Sequence, residues 1–150
     1  MDTINRAIIG HLLRDGRATF AEVGETVGLS APAVKRRVDQ MRARGEISGF
    51  TVLVDAGAMG WTVEAYVEIF CRGNVPPEML REAITGIAEV VELVTVTGES
   101  DAMARVMANS VTDIQAIVEE IRQSPHIDRT KTEIVLSRVI DRPYLASDPE

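Results

Sequence analysis

Val27-Gly28-Leu29-Ser30-Ala31-Pro32-Ala33-Val34-Lys35-Arg36-Arg37-Val38-Asp39-Gln40-Met41 sets the architecture of the N-terminal third of the chain. Gly28 can take the left-handed conformation of a sharp turn. Ser30 then stands as an N-cap, and Pro32 falls in the first turn of a helix, where its missing N–H is no loss. Val34, Val38 and Met41 recur at i, i+4 and i+7 and form one apolar face. Ala31, Lys35, Arg36, Asp39 and Gln40 are left to face outward. Upstream, Thr19 opens a shorter helix with Val23 and Val27 on one side, and Gly24 lets the two helices approach closely. Ile4, Ile8 and Leu12, with Ile9 and Leu13, predict a first helix capped by Asp2 or Thr3 and stopped at Asp15-Gly16. Two helices joined by a short glycine turn make a helix-turn-helix. The N-terminal part of the second helix in such a pair lies in the DNA major groove. Lys35 and Arg36 suit guanine or phosphate there, whereas Arg42 and Arg44 lie late enough for the backbone.

The third helix closes at Gly45, and the periodicity then changes. Ile47, Phe50, Val52 and Val54 predict extended chain, and Gly57 and Gly60 mark a hinge. The expected division is a DNA-binding domain over residues 1–54, a hinge over 55–61, and a second domain over 62–150. That second domain reads as strand 62–70, a helix from Asn74-Val75-Pro76-Pro77, strand 90–97, turn Gly98-Glu99-Ser100, and strand 101–108. A helix opened by Ser110-Val111-Thr112-Asp113 and a last strand over 130–140 complete it. The order β-α-β-β-α-β is ferredoxin-like. The fold class is therefore α+β: a winged-helix-like helix-turn-helix followed by a ferredoxin-like domain. Val63, Ala65, Val67 and Ile69 share one face of the first strand. Tyr66, Phe70, Met103 and Met107 fall on the opposite face of the sheet, which implies a second covering layer, and a second copy of the chain is the expected cover.

Length, composition and charge agree. The 150 residues are 45% hydrophobic and 26% charged, as in a folded protein. No apolar run reaches the ~20 residues that span a bilayer. The N-terminus lacks the features of a signal peptide. Cys71 is the only cysteine, so neither an intrachain disulfide nor a multi-cysteine zinc site is expected. A cytoplasmic protein without a membrane partner, metal or cofactor is expected. The net charge of −7 is unevenly spread: residues 1–60 hold 8 Lys/Arg against 7 Asp/Glu, and residues 61–150 hold 8 against 16. The basic cluster Lys35, Arg36, Arg37, Arg42 and Arg44 supplies a local positive field, which matters more for steering to phosphate than the whole-chain balance.

The chain resembles the Lrp/AsnC (leucine-responsive, or feast/famine) family of prokaryotic transcription regulators over nearly its whole length. The motifs are Asp15-Gly16-Arg17, Val27-Gly28-Leu29-Ser30, Val34…Arg37-Val38…Met41, and Gly45-Glu46-Ile47-Ser48-Gly49-Phe50. In the second domain they are Val94-Thr95-Val96-Thr97-Gly98-Glu99-Ser100-Asp101 and Ile127…Thr130-Lys131-Thr132-Glu133-Ile134-Val135-Leu136. Asn5 departs from the acidic residue common in the first helix, Gly24 from the usual Ala, and His126 from a frequent Gly. The resemblance implies dimers on a pseudo-palindromic operator in double-stranded DNA, assembled into tetramers or octamers. It also implies an amino acid or similar effector at a dimer–dimer interface. The DNA-contacting set is then Ser30, Ala31, Lys35, Arg36, Arg37, Gln40 and Arg42, and the effector set is Gly98, Glu99, Ser100, Asp101, Thr130 and Thr132. Gly98 lets a ligand approach backbone N–H groups that can hold a carboxylate, Asp101 can accept from an α-amino group, and the threonines offer hydroxyls.

Two rival readings remain at this stage. Siroheme decarboxylases share the two-domain pattern, but such an enzyme needs tetrapyrrole-binding and proton-transferring groups, and only His11 and His126 are histidines. A sensor or adaptor without DNA binding would leave the basic helix unexplained. Walker, G-x-S-x-G, H-E-x-x-H and dinucleotide fingerprints do not occur, so no enzymatic activity is expected.

Overall fold

Asp2 starts the first helix: its carboxylate accepts the Asn5 N–H at 2.7 Å, and α1 follows over Thr3–Arg14. Residues 1–140 are described by a computed structural model and fall into two compact units, Met1–Leu53 and Val54–Arg138. The end of the expected second domain, residues 141–150, lies outside the described residues.

In the first unit, α2 is Phe20–Val27 and α3 is Ala31–Ala43. Thr19 and Glu22 cap α2 reciprocally: the Thr19 hydroxyl accepts the Glu22 N–H, and the Glu22 carboxylate accepts the Thr19 N–H at 2.7 Å. Those bonds hold the Glu22 carboxyl below its ordinary range. Gly28 ends α2 at φ +70°, and Gly45 follows α3 at φ +73°. Ile8, Val23, Val34, Val38 and Met41 are fully buried, with Ile4, Leu12, Phe20, Val27, Leu29 and Ile47 packed around them. Each buried aliphatic side chain contributes about 1.5–3 kcal/mol. For a unit of this size, that small core is most of what opposes unfolding.

In the second unit, strands β1 (Val63–Cys71), β2 (Val90–Thr95), β3 (Ala102–Ala108) and β4 (Ile127–Ile134) form one antiparallel sheet in the order β2-β3-β1-β4. Helices α4 (Pro77–Ile84) and α5 (Val111–Arg122) supply the crossovers, as a ferredoxin-like fold requires. Ser110 caps α5 by accepting the Asp113 N–H. Ala65, Val67 and Ile69 of β1 meet Ala102, Ala104 and Val106 of β3 and the apolar stripe Ile114, Ile117, Val118 and Ile121 of α5. Leu80, Ile84 and Ile87 close the core from the α4 side.

Three expectations need adjustment. The last strand ends at Ile134 rather than at residue 140. Beyond the Ala65–Ile134 pair β1 offers only Glu64 and Val63; the Val135 N–H still donates to the Glu64 carbonyl at 2.9 Å, and nothing of β1 is left to pair residues 137–140. Residues 46–55 form no ladder among the described residues, and Val52 and Leu53 are 79% and 85% exposed. The expected hinge holds a 3-10 turn, Gly57–Met59, with Gly60 at φ +86° and the Trp61 N–H on the Ala56 carbonyl at 2.9 Å.

The sheet face away from the helices is more polar than its apolar residues alone implied. Phe70 and Met107 are buried, Tyr66 and Met103 half-buried, and rows of ion pairs run between them. Glu64 receives Arg105 at 2.6 Å and Arg138, Glu68 receives Lys131 at 3.3 Å, and the Arg129 guanidinium lies 3.5 Å from the Phe70 ring centre. Burial raises the Glu64 carboxyl, but the two arginines outweigh it and hold the group below its ordinary value.

Candidate nucleic-acid interface and effector loop

Helix α3 is built so that one side is spent on the core and the other is left to solvent. Val34, Val38 and Met41 are buried, whereas Pro32, Lys35, Arg36, Asp39, Gln40 and Ala43 line a shallow groove on the exposed side. Lys35 Nζ lies 2.7 Å from Asp39 Oδ2. Arg36 and Arg42 are exposed and have no side-chain partner among the described residues. Ser30 occupies the N-cap position with extended backbone, but its hydroxyl makes no cap bond. Its carbonyl instead accepts the Ala33 and Val34 N–H groups at 2.9 and 3.0 Å, so the hydroxyl stays exposed at the head of the helix. Ala31 is half-buried beside it.

Arg37, one of the expected DNA contacts, stands apart from this group. It lies between the core positions 34, 38 and 41, and its guanidinium turns to α1. Nη1 donates to Asp2 Oδ2 at 2.8 Å and to Asn5 Oδ1 at 3.0 Å, and Asn5 is buried. The Asn5 N–H and Arg37 together hold the Asp2 carboxyl below its ordinary range. One residue thereby caps α1 and ties it to α3. The local pattern of α3 gave no signal for this, because the partners lie more than thirty positions upstream. Arg44 is likewise engaged, bonding Glu46 at 2.9 Å.

Gly24 fixes how near α2 comes to the turn. A Cβ there would stand 2.3 Å from the Leu29 carbonyl oxygen, while the Leu29 N–H donates to the Gly24 carbonyl at 2.9 Å. The turn into α3 thus crosses directly over a position that has no side chain.

In the second unit the loop Gly98–Asp101 joins β2 to β3. Gly98 has φ +145°, and a Cβ would meet nothing within 4 Å, so backbone conformation rather than crowding calls for glycine. Glu99 is exposed and Ser100 half-buried. The Asp101 carboxylate already has a partner: Oδ2 accepts the Cys71 N–H at 2.7 Å, and the Asp101 N–H donates to the Ile69 carbonyl at 2.9 Å. Burial first, then the neighbouring Asp101, pushes the Cys71 thiol up, away from reactivity. Thr130 pairs with Ile69 and Thr132 with Val67, which sets both threonines on the helix side of the sheet. The Thr130 hydroxyl accepts from Arg122 Nε at 2.8 Å, and Thr132 is exposed.

Asp101 and Thr130 therefore flank β1 at one end of the sheet. They are separated by two strand spacings, about 10 Å between backbones. The α3 residues are brought together within one chain, whereas the effector residues stay in two clusters. Sequence reasoning missed Arg122, whose place in the last turn of α5 reads only as a favourable helix-end charge.

These features define a class: a two-domain transcriptional regulator with a helix-turn-helix and a ligand-binding ferredoxin-like domain. The profile of the AsnC-type helix-turn-helix domain matches residues 1–42, and that of the Lrp/AsnC ligand binding domain matches residues 64–145. The chain belongs to the Lrp/AsnC family. It is 49% identical over 142 residues to the HTH-type transcriptional regulator Rv2324 of Mycobacterium tuberculosis, covering 95% of this chain and 96% of that one. It is 29% identical to the regulator LrpA of the same organism, over 91% of each chain. Among solved structures, E. coli AsnC superposes with a TM-score of 0.84 at 26% identity, covering 95% of this chain and 97% of that chain. The feast or famine regulatory protein Rv3291c from M. tuberculosis, complexed with L-methionine, gives 0.86 at 28%, covering 93% and 95%. These relatives are all named as transcriptional regulators or regulatory proteins apart from AsnC, which shares the family name. Among the described residues no helix is long and apolar enough to cross a membrane.

Proposed function

We propose that this regulator binds specific sequences in double-stranded DNA through α3, and that an amino acid or similar small effector adjusts its assembly or its grip on DNA. The observation that carries the DNA reading is the division of α3: its apolar residues are consumed by the core, and Lys35, Arg36 and Gln40 are presented together opposite them. Ser30 and Ala31 at the head of the helix and Arg42 near its end complete the contact set, with phosphate the natural partner for Arg42. Arg37 enters this reading as the residue that sets the angle of α3 against α1.

The effector reading is supported by the L-methionine complex of the 28%-identical relative and by the open backbone at Gly98. The separation of the two effector clusters favours a site completed by a second copy of the chain. Copies would meet through the exposed apolar segment Phe50, Val52, Leu53 and Val54 and the mixed outer sheet face, giving dimers whose two α3 helices enter successive major grooves of a pseudo-palindromic operator. Dimers would gather into tetramers or octamers around the effector, in the cytoplasm. The effector acts only through its different affinity for two arrangements of the assembly.

The test is a gel shift on the DNA upstream of the protein's own gene, against random DNA, with a panel of amino acids, alongside light scattering. A specific shift altered by one amino acid is expected. No preference over random DNA there would place the operator elsewhere, failure to enrich any sequence from a randomised duplex library would refute the sequence-specific reading, and a monodisperse monomer at micromolar concentration would refute the assembly.

A further inference from the structure

We propose that Asp39 is a specificity-determining residue: its carboxylate accepts a hydrogen bond from the exocyclic amino group of a cytosine in the major groove, and with Lys35 it selects a C·G base pair. This rests on α3 being the DNA-reading helix. Asp39 is the only acidic residue of α3, and it sits on the exposed stripe with Pro32, Lys35, Arg36 and Gln40. Four of the other acidic groups in this unit have structural partners, Asp2 on Arg37 and Asn5, Glu22 on Thr19, Glu46 on Arg44, and Asp15 on the Arg17 N–H, while Glu25 is exposed on α2, away from the α3 stripe. Among the described residues Asp39 has only Lys35, at 2.7 Å, with the two side chains 52% and 63% exposed. An exposed pair of this kind adds little to folding, and the order Lys before Asp is the less favourable one along a helix.

A carboxylate on a helix that enters a phosphate-lined groove is repelled unless a base offers it a donor. The major groove holds two such donors, the N4 amino group of cytosine and the N6 amino group of adenine. Adenine sets its N7 acceptor beside N6, which repels an acceptor-only side chain, whereas cytosine presents its donor without one. The guanine opposite offers O6 and N7 to a cation. Lys35 and Asp39 end within one hydrogen-bond length of each other, so donor and acceptor reach the two halves of one pair together. Held by Asp39, Lys35 is also drawn away from phosphate, which lowers affinity for random DNA.

The experiment is selection of binding sites from a randomised duplex library, with sequencing, using full-length wild type, Asp39→Ala and Asp39→Asn. Melting of each variant checks folding, which an exposed position leaves unchanged. Wild type is expected to prefer C·G at one position by roughly 5- to 100-fold. Asp39→Ala reduces that preference to about 2-fold or less and leaves the other positions intact. It also binds random DNA severalfold more tightly, and its log–log salt slope steepens by about 1 as Lys35 reaches phosphate. Asp39→Asn, with both a donor and an acceptor, moves the preference toward adenine. Unchanged base preference at every position in Asp39→Ala would overturn the proposal while leaving the DNA-reading helix in place. A wild-type protein that enriches no sequence removes the reading beneath it, and the proposal with it.

Discussion

Replacing Gly24 with alanine sets two calculable effects against each other. In an ordinary helix interior the change would stabilise by about 0.5–1 kcal/mol, because glycine loses more backbone freedom on folding. Here the new methyl would lie 2.3 Å from the Leu29 carbonyl oxygen and 3.3 Å from its carbon. Ordinary contact begins roughly 1 Å further out, and the obstacle is backbone rather than a side chain that can swing aside. The Leu29 peptide must retreat, stretching its 2.9 Å bond to the Gly24 carbonyl and displacing Ser30 at the head of α3. Forcing a methyl into such a packed contact costs about 1–3 kcal/mol. Taken at mid-range the overpacking wins, with a net loss of about 1 kcal/mol and a span of about 0–2.5 kcal/mol. For a small domain each kcal/mol lowers Tm by about 4–8 °C. Scanning calorimetry of the full-length protein reads the loss directly. Operator affinity should fall about tenfold as well, since recognition geometry tolerates displacements of only ~0.5 Å. A Tm equal to or above wild type would show that the turn gives way freely, and would refute the argument that Gly24 sets the seating of α3.

Arg37→Ala strands the buried Asn5 oxygen and should destabilise the first unit by about 1–3 kcal/mol, while the salt slope of DNA binding stays within error; a flatter slope would return Arg37 to the phosphate-contacting group. Arg42→Ala should weaken specific and random DNA alike and flatten the salt slope by about 1; a loss confined to one operator sequence would contradict its assignment to phosphate. The Asp2 carboxyl is held below its ordinary range by the Asn5 N–H and Arg37, so its stabilisation is present above about pH 4 and is lost as pH falls further. Asp2→Asn should therefore lower Tm at pH 7 and converge with wild type toward pH 2, which thermal melts in both buffers will check. Asp101→Ala should leave operator binding intact and abolish the effector response; unchanged effector affinity in calorimetry would confine Asp101 to holding the Cys71 N–H.

Much of the fold was legible because it is written in local periodicity. The spacing of Val34, Val38 and Met41 predicts the buried side of α3, and that of Val63, Ala65, Val67 and Ile69 predicts the core side of β1, with Val63 at its margin. What failed was non-local. Val135, Leu136, Val139 and Ile140 have the composition of a strand, but a strand ends where its partner ends, and no property of residues 135–140 reports that β1 starts at Val63. The cationic character of Arg37 was visible, but its direction was not, because Asp2 and Asn5 determine it from another helix. Tyr66 and Phe70 were read as an apolar face because the alternation of β1 says nothing about Arg129 or Lys131 arriving beside them.

The strand order β2-β3-β1-β4 also dictates a schedule. The three helices of the first unit all lie within residues 1–53, and their contacts are short-range compared with those of the sheet, the kind that form fastest. The central strand β1 is made next, but neither of its edges can be satisfied at that point. One edge waits for β3 and the other for β4, whose last residue is Ile134. At the ribosome's roughly 5–20 residues per second, β1 spends about 4–14 s with an open edge. During that interval Val67, Ile69 and Phe70 are exposed to any neighbouring chain doing the same. Crowded synthesis is a condition under which this protein is exposed to mispairing.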